Sequence, residues 1–168
     1  MIQLENRFID VFGTIPIITY KGGNLVSKYD FGTEHDCLRF LSVNTRPIDK
    51  YPLIWLDTTE LVLKGKPSRL QSRLKFILAY PTTSELENRE RLKESFEKIL
   101  DILFNNVIIA LQQCGFITFK NSSNNQFARR FNYSETNDAE SGFPDIWDAI
   151  VFSRDVEISD CDTKQINY

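Results

Sequence analysis

The chain predicts an α+β fold, a mainly antiparallel sheet packed by one long helix and a short N-terminal helix. Three observations carry that expectation. Residues 84–115 place Leu92, Phe96, Ile99, Leu103, Val107, Ala110 or Leu111, and Cys114 at the three-or-four spacing of one helical face. Runs at 51–56, 70–80, 116–120, 127–133 and 144–159 read as strands joined by short loops. No regular alternation of strand and helix runs along the chain, which disfavours a parallel sheet and places the helices on one face.

Taken in order, residues 2–12 carry Leu4, Phe8, Val11 and Phe12 on one side with Gly13 behind them, a short amphipathic helix with its C-cap. Residues 15–20 are β-rich, but Pro16 cannot donate to a ladder, so this strand belongs at an edge or begins there. Lys21-Gly22-Gly23-Asn24 is a turn, and 25–32 gives a mixed signal. Cys37, Leu38, Phe40 and Leu41 fit one face of a short helix, with a strand as the other reading. Tyr51-Pro52-Leu53-Ile54-Trp55-Leu56 is a strand that begins at its proline. The next strand, 70–80, alternates Leu70, Leu74, Phe76, Leu78 and Tyr80 against Arg69, Arg73 and Lys75, the pattern of a half-buried strand. A basic hairpin arm, Lys64-Gly65-Lys66-Pro67-Ser68-Arg69, precedes it.

The long helix opens with Ser84 and Glu87, spaced as a capping box, and closes at Gly115. At ~1.5 Å per residue it would run roughly 45 Å. Its first half is charged and its second half nearly all apolar, so the first is half-exposed and the second wrapped. Strands at 116–120 and 127–133 follow, separated by a polar turn. An acidic loop covers 134–142. The strand at 144–159 is the longest, with Ile146, Asp148, Ile150, Phe152, Arg154, Val156 and Ile158 on one face and Trp147, Ala149 and Val151 on the other. Its first half is expected to be covered on both sides. The chain reads as a single domain, 1–160, with a polar C-terminal tail, 161–168.

Composition narrows the function classes. The 168 residues are 42% hydrophobic, with 13 Phe and 2 Trp, enough for a packed core. A net charge of −3 gives no global basic field for nucleic acid or an anionic membrane. The N-terminus lacks the apolar core of a signal peptide, and no window is long and apolar enough to span a bilayer. Cys37, Cys114 and Cys161 are odd in number and far apart, which reads as free thiols in a reducing compartment. The sequons at Asn121 and Asn132 then carry no meaning.

Little in the sequence carries reaction chemistry. His35 is the one histidine, flanked by Glu34 and Asp36, and reads as a solvated turn residue rather than a metal ligand or general base. No nucleophile elbow and no phosphate-cradling glycine loop are present. No cofactor, metal or catalytic residue is therefore assigned. Pro144-Asp145 followed by Asp162-Thr163-Lys164 spells a PD…DxK pattern of metal-dependent nucleases, but one long strand separates the two acids, which belong on adjacent strands. The basic group Lys64, Lys66, Arg69, Arg73 and Lys75 could meet phosphates, though a solvated or salt-bridging surface accounts for it better. Arg154 and Asp148, set in an apolar strand face, and the dense charges around Glu90 have the character of groups that fix register between identical subunits.

Taken together, the N-terminal helix ending in a turn, the Tyr51–Leu56 run, the basic-loop hairpin with Leu74-Lys75-Phe76-Ile77-Leu78-Ala79, the long helix and Asp145-Ile146-Trp147-Asp148-Ala149-Ile150 resemble small structural proteins of tailed phages. The similarity is to tail-terminator (tail-completion) proteins and head–tail connector ring proteins, over roughly 1–160. It implies a homo-oligomeric ring, six-fold or twelve-fold, whose partners are portal or adaptor and tail proteins. DNA would pass through the lumen without sequence-specific binding, and no membrane would be involved. The virion is the implied location, after assembly in the host bacterial cytoplasm. Subunit or neighbour-ring contacts would then involve Lys64, Lys66, Arg69, Arg154, Asp148 and Glu90, with the arm at 64–69 and the loop at 134–142. Two alternatives remain open: a small metal-dependent nuclease, and a soluble adaptor that binds one protein.

Overall fold

The structure, a computed structural model, describes residues 4–43, 46–59, 61–66, 69–83, 85–133 and 146–159. Two 13-residue strands form its backbone: β6 (Arg69–Pro81) and β9 (Trp147–Ser159) pair antiparallel over their whole length, from Arg69↔Ser159 to Pro81↔Trp147. On the outer side of β6 lie two shorter strands, β5 (Lys64–Lys66) and β4 (Leu53–Asp57), one beside each half. The outer side of β9 carries β7 (Ile117–Phe119) and β8 (Gln126–Arg130) in the same manner. Beyond β4 lies β3 (Lys28–Gly32), which completes the 7-stranded sheet.

One face of this sheet carries the main core. Helix α1 (Leu4–Gly13) buries Leu4, Phe8 and Phe12 against it, as their four-residue spacing requires. Rings then meet in sequence across the layer. Phe8 lies 5.7 Å from Phe76, Phe76 5.3 Å from Phe152, Phe152 5.1 Å from Phe104, and Phe104 5.0 Å from Phe127. A small hairpin, β1 (Ile18–Tyr20) and β2 (Gly23–Leu25), turns at Lys21 and Gly22, both at positive φ, the geometry of a two-residue type I′ turn. The Tyr20 hydroxyl donates to Glu94 at 2.7 Å and ties the hairpin to the long helix.

The long helix runs continuously through Asn88–Arg91, Leu92–Leu100 and Asp101–Gln113. It differs from its expected form at its start. The expected box of Ser84 with Glu87 is replaced by Glu87 with Glu90, whose carboxylate accepts from the Glu87 N–H at 2.9 Å; Ser84 lies outside the described residues. The middle segment is π-helical, with more residues per turn than an α-helix. That shifts the buried stripe: Arg91 turns inward, 2% exposed, while Leu92 turns out, 37% exposed. From Phe96 onward the expected face holds, with Ile99, Leu103, Val107 and Leu111 all buried. Gly115, with φ 76, follows the helix as expected.

The helices do not all share one face. On β4, Ile54 and Leu56 join the main core, while Leu53 and Trp55 join a second cluster on the opposite face with Cys37, Leu41, Ile77, Ala79, Trp147 and Ala149. Helix α2 (Glu34–Val43) covers that second face, and the short helix α3 (Pro47–Lys50) follows it. The reason is local: β3 pairs parallel to β4, and a parallel neighbour needs a crossover connection, here α2 and α3. The same crossover buries the second half of β6 on both sides rather than one. As expected, the first half of β9 is covered on both sides.

Candidate functional site

The second face changes character along its length. Beyond Ile77 and Val151 the apolar covering ends, and Asp57, Lys75, Ser153 and Gln126 stand in one row across β4, β6, β9 and β8. Lys75 Nζ donates to Asp57 Oδ2 at 2.7 Å. Burial acts to raise the Asp57 carboxyl, but the Lys75 ammonium and Thr59 outweigh it and hold it below the usual carboxylate value. Burial likewise acts to lower Lys75, and the Asp57 carboxylate outweighs it and raises the ammonium above its usual value. One row further, Arg73 donates to Ser153 Oγ at 3.1 Å and to the Asn124 carbonyl. Asp57, Arg73, Lys75, Gln126 and Ser153 enclose a hollow of about 280 Å³.

Among the described residues, nothing covers the rows toward the end of the sheet. Gln71 pairs Glu157, and Arg69 pairs Ser159, with Lys64 and Lys66 alongside on β5. Paired residues of neighbouring strands point the same way, so Lys64, Lys66, Arg69, Arg73 and Lys75 all project from one face. The five basic residues that stood out in the sequence are thus brought together. They outnumber Asp57, Asp155 and Glu157 on that face, which gives it a local sign opposite to the chain's net −3. Arg69 Nε lies 2.9 Å from Glu157, so part of the group is salt-bridged. Lys64 and Lys66 are exposed and have no ion pair among the described residues.

The remaining expected contact residues lie elsewhere. Asp148 is wholly buried and accepts from the Asn132 N–H at 3.1 Å, with Arg91 Nη1 at 3.8 Å. It has no surface to offer a neighbouring subunit, because its strand face lies under the long helix. Glu90 is exposed, but its carboxylate is engaged in the helix cap. Arg154 lies on the main-core face, opposite Leu74, and faces the gap between β7 and β8. The structure does not bring these three to the arm.

Sequence reasoning missed two participants. Arg91 sits in a charged run whose α-helical spacing points it outward, so no signal marked it. Asp57 closes an apolar strand run, and its pairing with Lys75 became visible only with the register.

His35 is exposed in the first turn of α2. Burial pushes the Cys37 thiol up to about 12. Among the described residues no three His, Cys, Asp or Glu side chains cluster to hold a metal, and no helix is long and apolar enough to cross a membrane. Asp145, Asp162 and Lys164 of the nuclease pattern, the loop at 134–142, Cys161 and the tail lie outside the described residues. In comparisons with known proteins, the chain matches no family model and no curated protein.

Proposed function

We propose that the protein is a non-enzymatic virion subunit of a tailed phage that assembles with copies of itself into a ring at the head–tail junction or tail end. In this role it joins portal-side proteins to the tail and lets DNA pass. The assembly part rests on the bare half of the sheet, where β5, β6, β9 and β7 extend past the covering helix α2 and present a basic surface. Rings close through two different patches on each subunit. Exposed Glu85, just before the long helix, and exposed Glu97 within it supply acidic groups that complement the arm. The phage part rests on the likeness of the Tyr51–Leu56, Leu74–Ala79 and Asp145–Ile150 segments to tail-terminator and connector proteins.

Reversing the exposed arm charges tests this reading. The combined variant Lys64→Glu, Lys66→Glu, Arg69→Glu is expected to lose self-association in light scattering while its circular dichroism stays unchanged. Reversing Glu85 and Glu97 to Lys in the same chain is expected to restore assembly in part. Unchanged self-association in the first variant argues against the arm as the contact.

A further inference from the structure

Among the described residues, no strand lies on the outer side of β3. The Lys28 N–H donates to the Pro52 carbonyl and the Gly32 carbonyl accepts from the Thr58 N–H, so Lys28, Asp30 and Gly32 turn their backbone groups to β4. Tyr29 and Phe31 therefore turn theirs outward. The Phe31 N–H is taken by Asp30 Oδ1 at 2.8 Å. The Tyr29 N–H and carbonyl and the Phe31 carbonyl have no hydrogen-bond partner among the described residues. A hollow of about 310 Å³ opens along this edge. Ile9 and Phe12 of α1 wall it on one side, Phe40 of α2 and Asp49 of α3 on the other, with Ser27 and Tyr29 between. The Ser27 Oγ is buried without a hydrogen-bond partner among the described residues. Ile9, Val26 and Ile48, each more than half exposed, flank the edge. An open edge set among exposed apolar side chains is a docking surface for a further extended strand.

We propose that the strand it takes is β3 of a second copy, paired antiparallel about a two-fold axis through Tyr29. The run Lys28-Tyr29-Asp30 selects that occupant. With Tyr29 opposite Tyr29, the two outward backbones exchange both hydrogen bonds. Lys28 then stands opposite Asp30 of the second copy, and Asp30 opposite its Lys28, all on one face. Neither residue has an ion pair among the described residues, so the two pairs neutralise charges that the single chain leaves open. Asp30 Oδ1 holds Phe31, and Oδ2 remains for the lysine. Moving the register by two residues either way sets Asp30 against Asp30 or Lys28 against Lys28, which like-charge repulsion disfavours. In the favoured register Ser27 comes opposite Phe31 of the second copy, whose outward carbonyl is an acceptor for the orphaned hydroxyl. This contact uses one patch twice, whereas a ring closes through two different patches, so it stands without the ring reading. The patch is small, so the pairing is weak and shows above the concentrations at which arm-driven assembly is measured.

The test uses the whole chain carrying Lys64→Glu, Lys66→Glu and Arg69→Glu, in which the arm is out of play and the fate of the ring reading has no bearing. Sedimentation equilibrium, over a concentration series reaching that of an NMR sample, is expected to show a monomer–dimer equilibrium. Lys28→Asp alone or Asp30→Lys alone makes both charge pairs repulsive and is expected to weaken dimerisation by about ten-fold or more. The exchanged variant, Lys28→Asp with Asp30→Lys, is expected to recover part of that loss. Hydrogen exchange followed by mass spectrometry is expected to slow across residues 27–31 as the dimer fills. That measurement needs no change in β3 and decides the matter if a β3 variant fails to fold. A monomer throughout, which is the result if the strand of a different protein is the occupant, overturns the proposal. So does a dimer equally strong in both single variants, an exchanged variant no stronger than either, or exchange across 27–31 that does not change with concentration.

Discussion

Arg91 and Asp148 hold opposite charges 3.8 Å apart with side chains 2% and 0% exposed. Arg91 also donates to the Leu86 carbonyl at 2.9 Å, the Thr83 carbonyl at 2.7 Å and the Asn132 side chain. One carboxylate oxygen of Asp148, Oδ2, has no hydrogen-bond partner among the described residues. Removing one member of such a pair strands the other, so Asp148→Ala is expected to destabilise the fold by about 3–5 kcal/mol in urea unfolding. The double change Arg91→Met, Asp148→Leu is expected to cost clearly less than either single change; additive losses would show that the two charges act independently. The Asp57–Lys75 pair gives a pH signature. Folding lowers the Asp57 pKa, so the unfolded chain takes up the proton more readily. Its contribution is present above the ordinary carboxylate pKa and is lost as pH falls through the folded value. The Tm gap between the wild type and Asp57→Asn is therefore expected to shrink below about pH 5, and a gap that holds down to about pH 3 would contradict this. Sequence reading found Asp148 because a charge breaks an apolar strand face. It could not find Arg91, because a charge among charges on a helix start gives no contrast.

The long helix and the arm carry the next scale. The π-helical turn explains why an apolar residue at a helix-face position ended up outside. Phe96→Ala, at a fully buried ring, is expected to cost about 3–5 kcal/mol, while Leu92→Gln costs under about 1 kcal/mol. Similar losses for both would mean that Leu92 is core and the α-helical register is the correct one. Nothing in the sequence announces the π turn, since neither Pro nor Gly interrupts that stretch; the inward pull of Arg91 on its partners accompanies it. The arm is a separate matter. Gly65 has φ 126, and a Cβ there would come within 2.6 Å of the Arg69 carbonyl. Gly65→Val is expected to disorder the β5–β6 pairing yet leave the circular dichroism of the core and its cooperative unfolding nearly unchanged. If it unfolds the whole domain, the arm is part of the core. Strong alternation made β6 and β9 legible in the sequence. By contrast, all five residues of β3 are only partly buried, so neither the strand nor its parallel pairing left a period to read. That hid the crossover, and with it the covering of the second face by α2.

At the scale of the whole molecule, the antiparallel frame, the long helix and the basic arm were all legible, because each depends on local pattern. The bare, basic half of one sheet face was not, because it depends on which strands sit beside each other and on where a crossover helix ends. If that face meets Glu85 and Glu97 of a neighbouring copy, association is electrostatic and weakens with salt, since charges exposed to solvent are screened within about 8–10 Å at physiological ionic strength. Raising salt is thus expected to lower the apparent mass, whereas a contact driven by apolar burial would hold or strengthen. The most direct measurement is the native mass of the full chain at low salt by sedimentation velocity, with negative-stain images of the same sample. The ring reading predicts a single closed oligomer, annular in projection, that dissociates when Lys64, Lys66 and Arg69 are reversed. A monomer at every accessible concentration, with no annular particles, would contradict it.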